Sequence, residues 1–254
     1  MKRLILFTVA VLLLTVSLSM TLSTTLSRQK SRELMNQANE LYSRQKYPRA
    51  LKVYKKLESA GVYNASILYN LANAYYKTGQ FAYSKYYYEK AKLFIPNDSD
   101  LRHNLKIVNQ LFVDKFDDDR SYGEKFIAYL QNLLSLNFIL WVYTSFIILG
   151  VFLVFIRRYY KKLSALILIL YLLLVFIFIP LSYKRICYFF NPDKSLVWSD
   201  RVEIKSGPSD KLATLFVLHQ GSIVTLKKTS GEWVSIDYNK KLSGWLKLRD
   251  LKTI

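Results

Sequence analysis

Residues 65–98 read ASILYNLANAYYKTGQFAYSKYYYEKAKLFIPND, and their layout decides the helical part of the chain. Leu68, Leu71, Ala72 and Tyr75 recur at the spacing of one helix face, Gly79 interrupts the run, and a second apolar pattern continues to Pro96. Two helices joined by a tight turn are expected. Sliding the chain over itself by 34 residues lays Ala38-Asn39 on Ala72-Asn73, Tyr47 on Phe81, Ala50 on Ser84, Tyr54 on Tyr88 and Leu57 on Ala91. Self-similarity at a fixed period of this size is the mark of a helical repeat. Small residues at Ala38, Ala50 and Ala72 would let neighbouring helices approach closely. After Pro96, Leu101, Leu105, Val108 and Leu111 share one face and predict a capping helix over Asp100 to Phe112.

The second copy, with Leu68, Leu71, Tyr75, Gly79 and Pro96, resembles the tetratricopeptide consensus. The resemblance implies repeats at 31–64 and 65–98 with a cap reaching residue 113, and a concave face built by the first helix of each repeat. On that face fall Asn39 and Tyr42, then Tyr69, Asn73 and Tyr76, as a peptide-binding groove. Asn39 and Asn73 match the family's peptide-contacting asparagine, whose carboxamide both donates to and accepts from a peptide backbone. Groove and core are expected to be separable, the former polar, the latter carried by the alanines. Such arrays need about three repeats to stand alone, so a further partner or attachment is expected.

The N-terminus, Met1-Lys2-Arg3 followed by an apolar run from Leu4 to Met20, reads as a signal peptide or signal anchor within residues 1–24. Two further apolar runs, 136–156 and 163–183, carry no charge and are expected to cross a membrane as a hairpin. Between them Arg157-Arg158-Tyr159-Tyr160-Lys161-Lys162 places four cations in a short loop, which predicts a cytoplasmic loop with both flanking regions extracytoplasmic. Residues 114–135 are expected to form a linker and an interfacial helix through Phe126, Ile127, Leu130, Leu133 and Leu134. The acidic run Asp117-Asp118-Asp119 lacks the spaced ligands and closing Glu of a calcium loop and reads as solvated linker.

From Leu196 the pattern shortens to strands at 202–204, 214–218, 223–226, 233–236 and 245–246, punctuated by Gly207-Pro208, Gly221, Gly231 and Gly244. Lys205-Ser206-Gly207-Pro208-Ser209, Glu232-Trp233-Val234-Ser235-Ile236 and Gly244-Trp245-Leu246 resemble the signature of bacterial SH3 domains, implying an SH3-like barrel over 195–254. Trp233 and Trp245 are the candidates for its ligand face. The fold class expected is therefore a multidomain membrane protein. It combines an α-helical tetratricopeptide array, a transmembrane helical hairpin and a C-terminal all-β SH3-like barrel.

The net charge of +19 over 254 residues raises nucleic acid as a partner. Regional counts argue against it. Residues 28–113 hold 15 basic and 6 acidic side chains, and residues 184–254 hold 13 and 7, so the charge is spread rather than gathered into one interface. Cys187 is the single cysteine and excludes an internal disulfide. His103 and His219 stand too far apart in sequence to suggest a metal site, and no nucleophile-base pair or phosphate loop is visible, so neither an enzyme nor a cofactor is expected.

Signal segment, repeat pair, hydrophobic hairpin and SH3-type module, in that order, resemble the aerotolerance-related Bat proteins of bacteria. The resemblance implies a periplasm-facing scaffold in a multi-pass inner-membrane location, acting in aerotolerance or stress tolerance. Its implied partners are von Willebrand A-type Bat proteins and a MoxR-type ATPase, with membrane lipid around it and peptidoglycan as the alternative ligand of the SH3-type module.

Overall fold

Helix α1, residues 29–43, ends where Gln45 turns into the left-handed region, with φ 57°, and helix α3 (Ala65–Lys77) ends the same way at Gly79, with φ 75°. The two positions are 34 residues apart, and their backbone bonds match. The Gln45 N–H donates to the Tyr42 carbonyl (2.9 Å) and Lys46 to Leu41 (2.9 Å), while Gly79 donates to Tyr76 (3.0 Å) and Gln80 to Tyr75 (2.9 Å). Both are helix ends closed by a left-handed residue whose neighbour reaches back across the last turn. The computed structural model describes residues 29–114, 121–123, 126, 136–159, 165–190, 194–239 and 241–254. Within them the chain divides into two units, Met1–Gln80 and Phe81–Ile254. The division falls inside the second expected repeat.

The first unit holds α1 over residues 29–43, α2 (Tyr47–Ser59) and α3 (Ala65–Lys77). Pro48 sits in the first turn of α2, where its missing N–H leaves no bond unmade. Asn64 caps α3 by accepting from the Ile67 N–H at 2.9 Å. Ala38, Ala50, Leu57, Leu71, Ala72 and Ala74 are fully buried. Tyr54 and Tyr75 fill the space between them at 1% exposure each.

The second unit begins with α4 (Phe81–Phe94) and α5 (Ser99–Asn109), the latter capped by Asp98 accepting from the Leu101 N–H at 2.8 Å. Its C-terminal part is an antiparallel sheet of β1 (Lys194–Val197), β2 (Arg201–Lys205), β3 (Thr214–His219), β4 (Ile223–Ser230), β5 (Trp233–Tyr238), β6 (Leu242–Lys247) and β7 (Leu251–Thr253). The order is β3-β2-β6-β5-β4-β1-β7. Val202, Ile204, Leu218, Val224, Val234, Ile236 and Leu246 form one buried core, the inward half of each alternating pattern. Five strands are expected from the sequence; β1 and β7 are additional. They pair Ser195 with Thr253, Leu196 with Lys252 and Val197 with Leu251, and three or four residues are too few to display an alternation.

Between these parts lie α6 (Leu136–Tyr159) and α7 (Ala165–Phe190). They pack through polar and ring contacts. The Tyr143 and Ser182 hydroxyls lie 2.6 Å apart, and the Tyr171 hydroxyl donates to the Phe146 carbonyl at 2.9 Å. Gly150 admits that tyrosine, since a Cβ there would stand 2.7 Å from its hydroxyl. The expected membrane crossing is corrected here: among the described residues no helix is long and apolar enough to cross a membrane. The multidomain-membrane fold class and the transmembrane helices at 136–156 and 163–183 are replaced by α-helices and a seven-stranded antiparallel sheet. The multi-pass inner-membrane localisation is withdrawn on the same finding. The signal segment, the Asp117 to Asp119 run, all of the interfacial helix but Phe126, and the side chains of the 157–162 loop lie outside the described residues.

The paired helix ends generate a test. Gln45 holds a conformation that favours glycine, so Gln45→Gly is expected to raise stability by about 0.5–1 kcal/mol. Gly79→Ala, whose Cβ would meet nothing within 4 Å, is expected to lower it by about 1 kcal/mol through backbone strain alone. Urea denaturation followed by circular dichroism measures both; equal midpoints for the three chains would refute the assignment.

Candidate functional site

The face expected to bind a peptide begins with Asn39 on α1. Its Oδ1 accepts from the Tyr54 hydroxyl of α2 at 2.7 Å and from the Asn70 amide of α3 at 3.1 Å. One carboxamide oxygen thus ties together all three helices of the first unit. Tyr42, one turn further along α1, packs edge-on against Tyr47 with ring centroids 5.0 Å apart. Burial raises the Tyr42 phenol above its ordinary range, and Tyr47 and Tyr69 add to the shift. Burial also pushes Tyr54 up to about 12, with Tyr42 adding and the Asn70 amide opposing. Both phenols therefore stay protonated, and able to donate, well into the alkaline range.

The structure brings Asn39, Tyr42 and Tyr69 together. Asn73 and Tyr76 follow Tyr69 on α3 at one and two turns and are half-buried, each with interactions of its own. Tyr54 and Asn70 complete the network and are absent from the expected groove. Asn70 stands 34 residues after Asn36, which is the signal that could have singled it out. The expected separation of groove from core is corrected, because Asn39 satisfies the hydroxyl of a tyrosine that is 1% exposed. Its amide hydrogens meet no acceptor among the described residues and remain able to donate to a bound backbone.

In the sheet, Trp233 is 7% exposed, with the Lys247 ammonium 5.1 Å from its ring centroid. Lys247 is anchored in turn by Asp210 at 2.6 Å and Glu232 at 3.8 Å. Trp233 is therefore a core residue with a cationic lid. Trp245 is half-buried, opposite Ser235 on β5 and Lys205 on β2.

Two clusters not expected from the sequence join α4 and the end of α5 to the sheet. In one, the Lys252 ammonium of β7 lies 4.4 Å from the ring centroids of Tyr86 and Trp198 and 4.9 Å from that of Tyr83. Tyr83 and Trp198 meet edge to face at 4.6 Å. In the other, Asp114 beyond α5 accepts from the His219 backbone N–H (2.6 Å) and the Ser222 hydroxyl (2.5 Å), with His219 Nδ1 at 3.1 Å. Burial opposes ionisation of Asp114, but the bonds from Ser222 and His219 outweigh it and hold its carboxyl below the usual range. Lys85 of α4 is 3% exposed, with its ammonium 4.9 Å from the Phe112 ring centroid. Burial lowers its pKa to about 8, against the pull of Glu89 and Asp114. Among the described residues no group of three metal-ligating side chains occurs.

No protein-family model matches the chain, and no curated protein matches it.

Two predictions follow from these contacts. Asn39→Ala strands the Tyr54 hydroxyl in a buried site and is expected to cost about 1–3 kcal/mol; a melting temperature equal to that of the parent chain would contradict the network. For Lys85, the folded-state pKa of about 8 lies below the ordinary lysine value of 10.5, so between these values the unfolded chain binds more protons. The contribution of this group to stability therefore rises with pH across that window. Relative to Lys85→Met, the parent chain should gain on the order of 3 kcal/mol between pH 8 and 10.5, measured by chemical denaturation of both chains across the range. Parallel pH profiles would show that the ammonium is not desolvated.

Proposed function

We propose that this protein is a non-enzymatic interaction scaffold whose repeat helices receive an extended polypeptide on the face of Asn39, Tyr42, Tyr69, Asn73 and Tyr76. The observation that carries this reading is the junction of α1 and α3 at Asn39 and Asn70. It sets amide and phenol groups from two helices side by side, with the Asn39 oxygen consumed internally and its N–H groups available. Donors fixed in this way recognise backbone carbonyls at little cost in side-chain entropy, and such recognition is largely independent of the partner's sequence. The resemblance to the Bat proteins supports von Willebrand A-type proteins as the partners and a MoxR-type ATPase as a further member of the assembly, with a role in stress tolerance.

The alternative ligand, peptidoglycan, would be taken by the sheet. Its candidate face is weakened, because Trp233 lies beneath Lys247 and only Trp245 retains exposed ring surface. Binding to an immobilised von Willebrand A-type partner, with the full chain and its Asn73→Ala variant, tests the first reading. Loss of one carboxamide removes hydrogen bonds of about 0.5–1.5 kcal/mol each, so affinity should fall roughly tenfold. Unchanged affinity with an unchanged circular dichroism spectrum would move the binding surface elsewhere. Co-sedimentation with purified peptidoglycan, abolished by Trp245→Ala, would favour the alternative.

A further inference from the structure

The turn from His219 to Ser222 is built by the sheet alone. The Ser222 N–H donates to the His219 carbonyl at 3.2 Å, Gly221 donates to Val197 at 2.9 Å, and Gln220 donates to Asp200 at 3.1 Å. What this turn presents outward is a set of donors, the His219 backbone N–H, its ring and the Ser222 hydroxyl, and all of them converge on the Asp114 carboxylate more than a hundred residues earlier in the chain. A carboxylate held by several charge-assisted bonds is a specific contact, not a packing accident. Two residues before it, Phe112 lies against Gly221, occupying the space where a Cβ would stand, and the Lys85 ammonium lies 4.9 Å from the ring centroid. Gly221 also needs glycine's freedom, at φ 88°.

The segment Phe112-Val113-Asp114 therefore engages its surroundings through two side chains. Phe112 and Asp114 are half-buried and Val113, between them, is 72% exposed. Nor is this contact the only one fastening helix to sheet. Lys252, enclosed by Tyr83, Tyr86 and Trp198, already holds α4 against β7. The aromatic and the carboxylate thus make a second, chemically distinct engagement.

We infer that the His219 to Ser222 turn, together with Lys85, is a recognition site for polypeptide segments of the form aromatic-x-aspartate, occupied in cis by Phe112-Val113-Asp114. The ring is selected by the glycine surface and the cation, and the acid by the turn's donors. Tethering places the internal ligand at an effective concentration in the millimolar range, so a partner carrying the same motif gains the site only when the internal segment is released.

The probe is a fluorescent peptide of residues 109–114, Asn-Gln-Leu-Phe-Val-Asp with an amidated C-terminus, titrated against the full chain and read by anisotropy. The double variant Phe112→Ala with Asp114→Asn should bind it at least tenfold more tightly than the parent chain. Replacing the peptide's Asp by Asn, or adding Ser222→Ala to the double variant, should abolish that gain. Equal weak binding by parent and variant, or indifference to the peptide's carboxylate, would overturn the inference and leave the contact a purely structural lock. Should the double variant lose its circular dichroism signal, Asp114→Asn alone, which keeps the Phe112 packing, carries the same test with the same outcomes.

Discussion

The Asp114 carboxylate is the constraint on which the second unit turns. It accepts from the His219 backbone and the Ser222 hydroxyl, with the His219 ring beside it, and these bonds compensate the partial burial of its charge. Its position sets that of Phe112, which sets the close approach at Gly221, which in turn bears on the junction of β3 and β4. Lys85 belongs to the same arrangement. An ammonium 3% exposed is costly, and the Phe112 face and the Asp114 charge are what offset part of that cost.

The first unit uses a neutral version of the same device. Asn39 accepts from Tyr54 and Asn70 and so makes one side chain answerable to three helices. The fully buried alanines give the helices their proximity, while the amide sets their registry, because a hydrogen bond to a buried hydroxyl is lost over a shift that apolar contacts would absorb. The polar face and the packing then share residues, which fixes the geometry of that face.

Within a formal charge of +19, several lysines lie against ring faces. Lys55 lies over Tyr75, Lys77 over Tyr47, Lys85 over Phe112, Lys247 over Trp233 and Lys252 over a Tyr83, Tyr86 and Trp198 cluster. Each such contact is worth about 0.5–1 kcal/mol when exposed and about 2 when desolvated. Tyrosine and lysine interleave along α4 at helical spacing, and that composition serves packing.

The sequence by itself determined whatever is periodic. The 34-residue offset laid Ala38 on Ala72 and Ala50 on Ser84, all four of them buried, and the runs at 202–204 and 233–236 lie within strands β2 and β5. Hydrophobic length alone misled at α6 and α7, where the reading of two membrane crossings gave way to the finding that no described helix is long and apolar enough. Only the tertiary structure decided that Trp233 is core, that β7 closes on β1, that Asn39 belongs to the packing as well as to the face, and that Lys252 and Asp114 bind helix to sheet. The physical reason is range. Helix and strand patterns arise from backbone geometry that repeats every few residues, whereas a carboxylate meeting a turn 105 residues away has no local period to announce it.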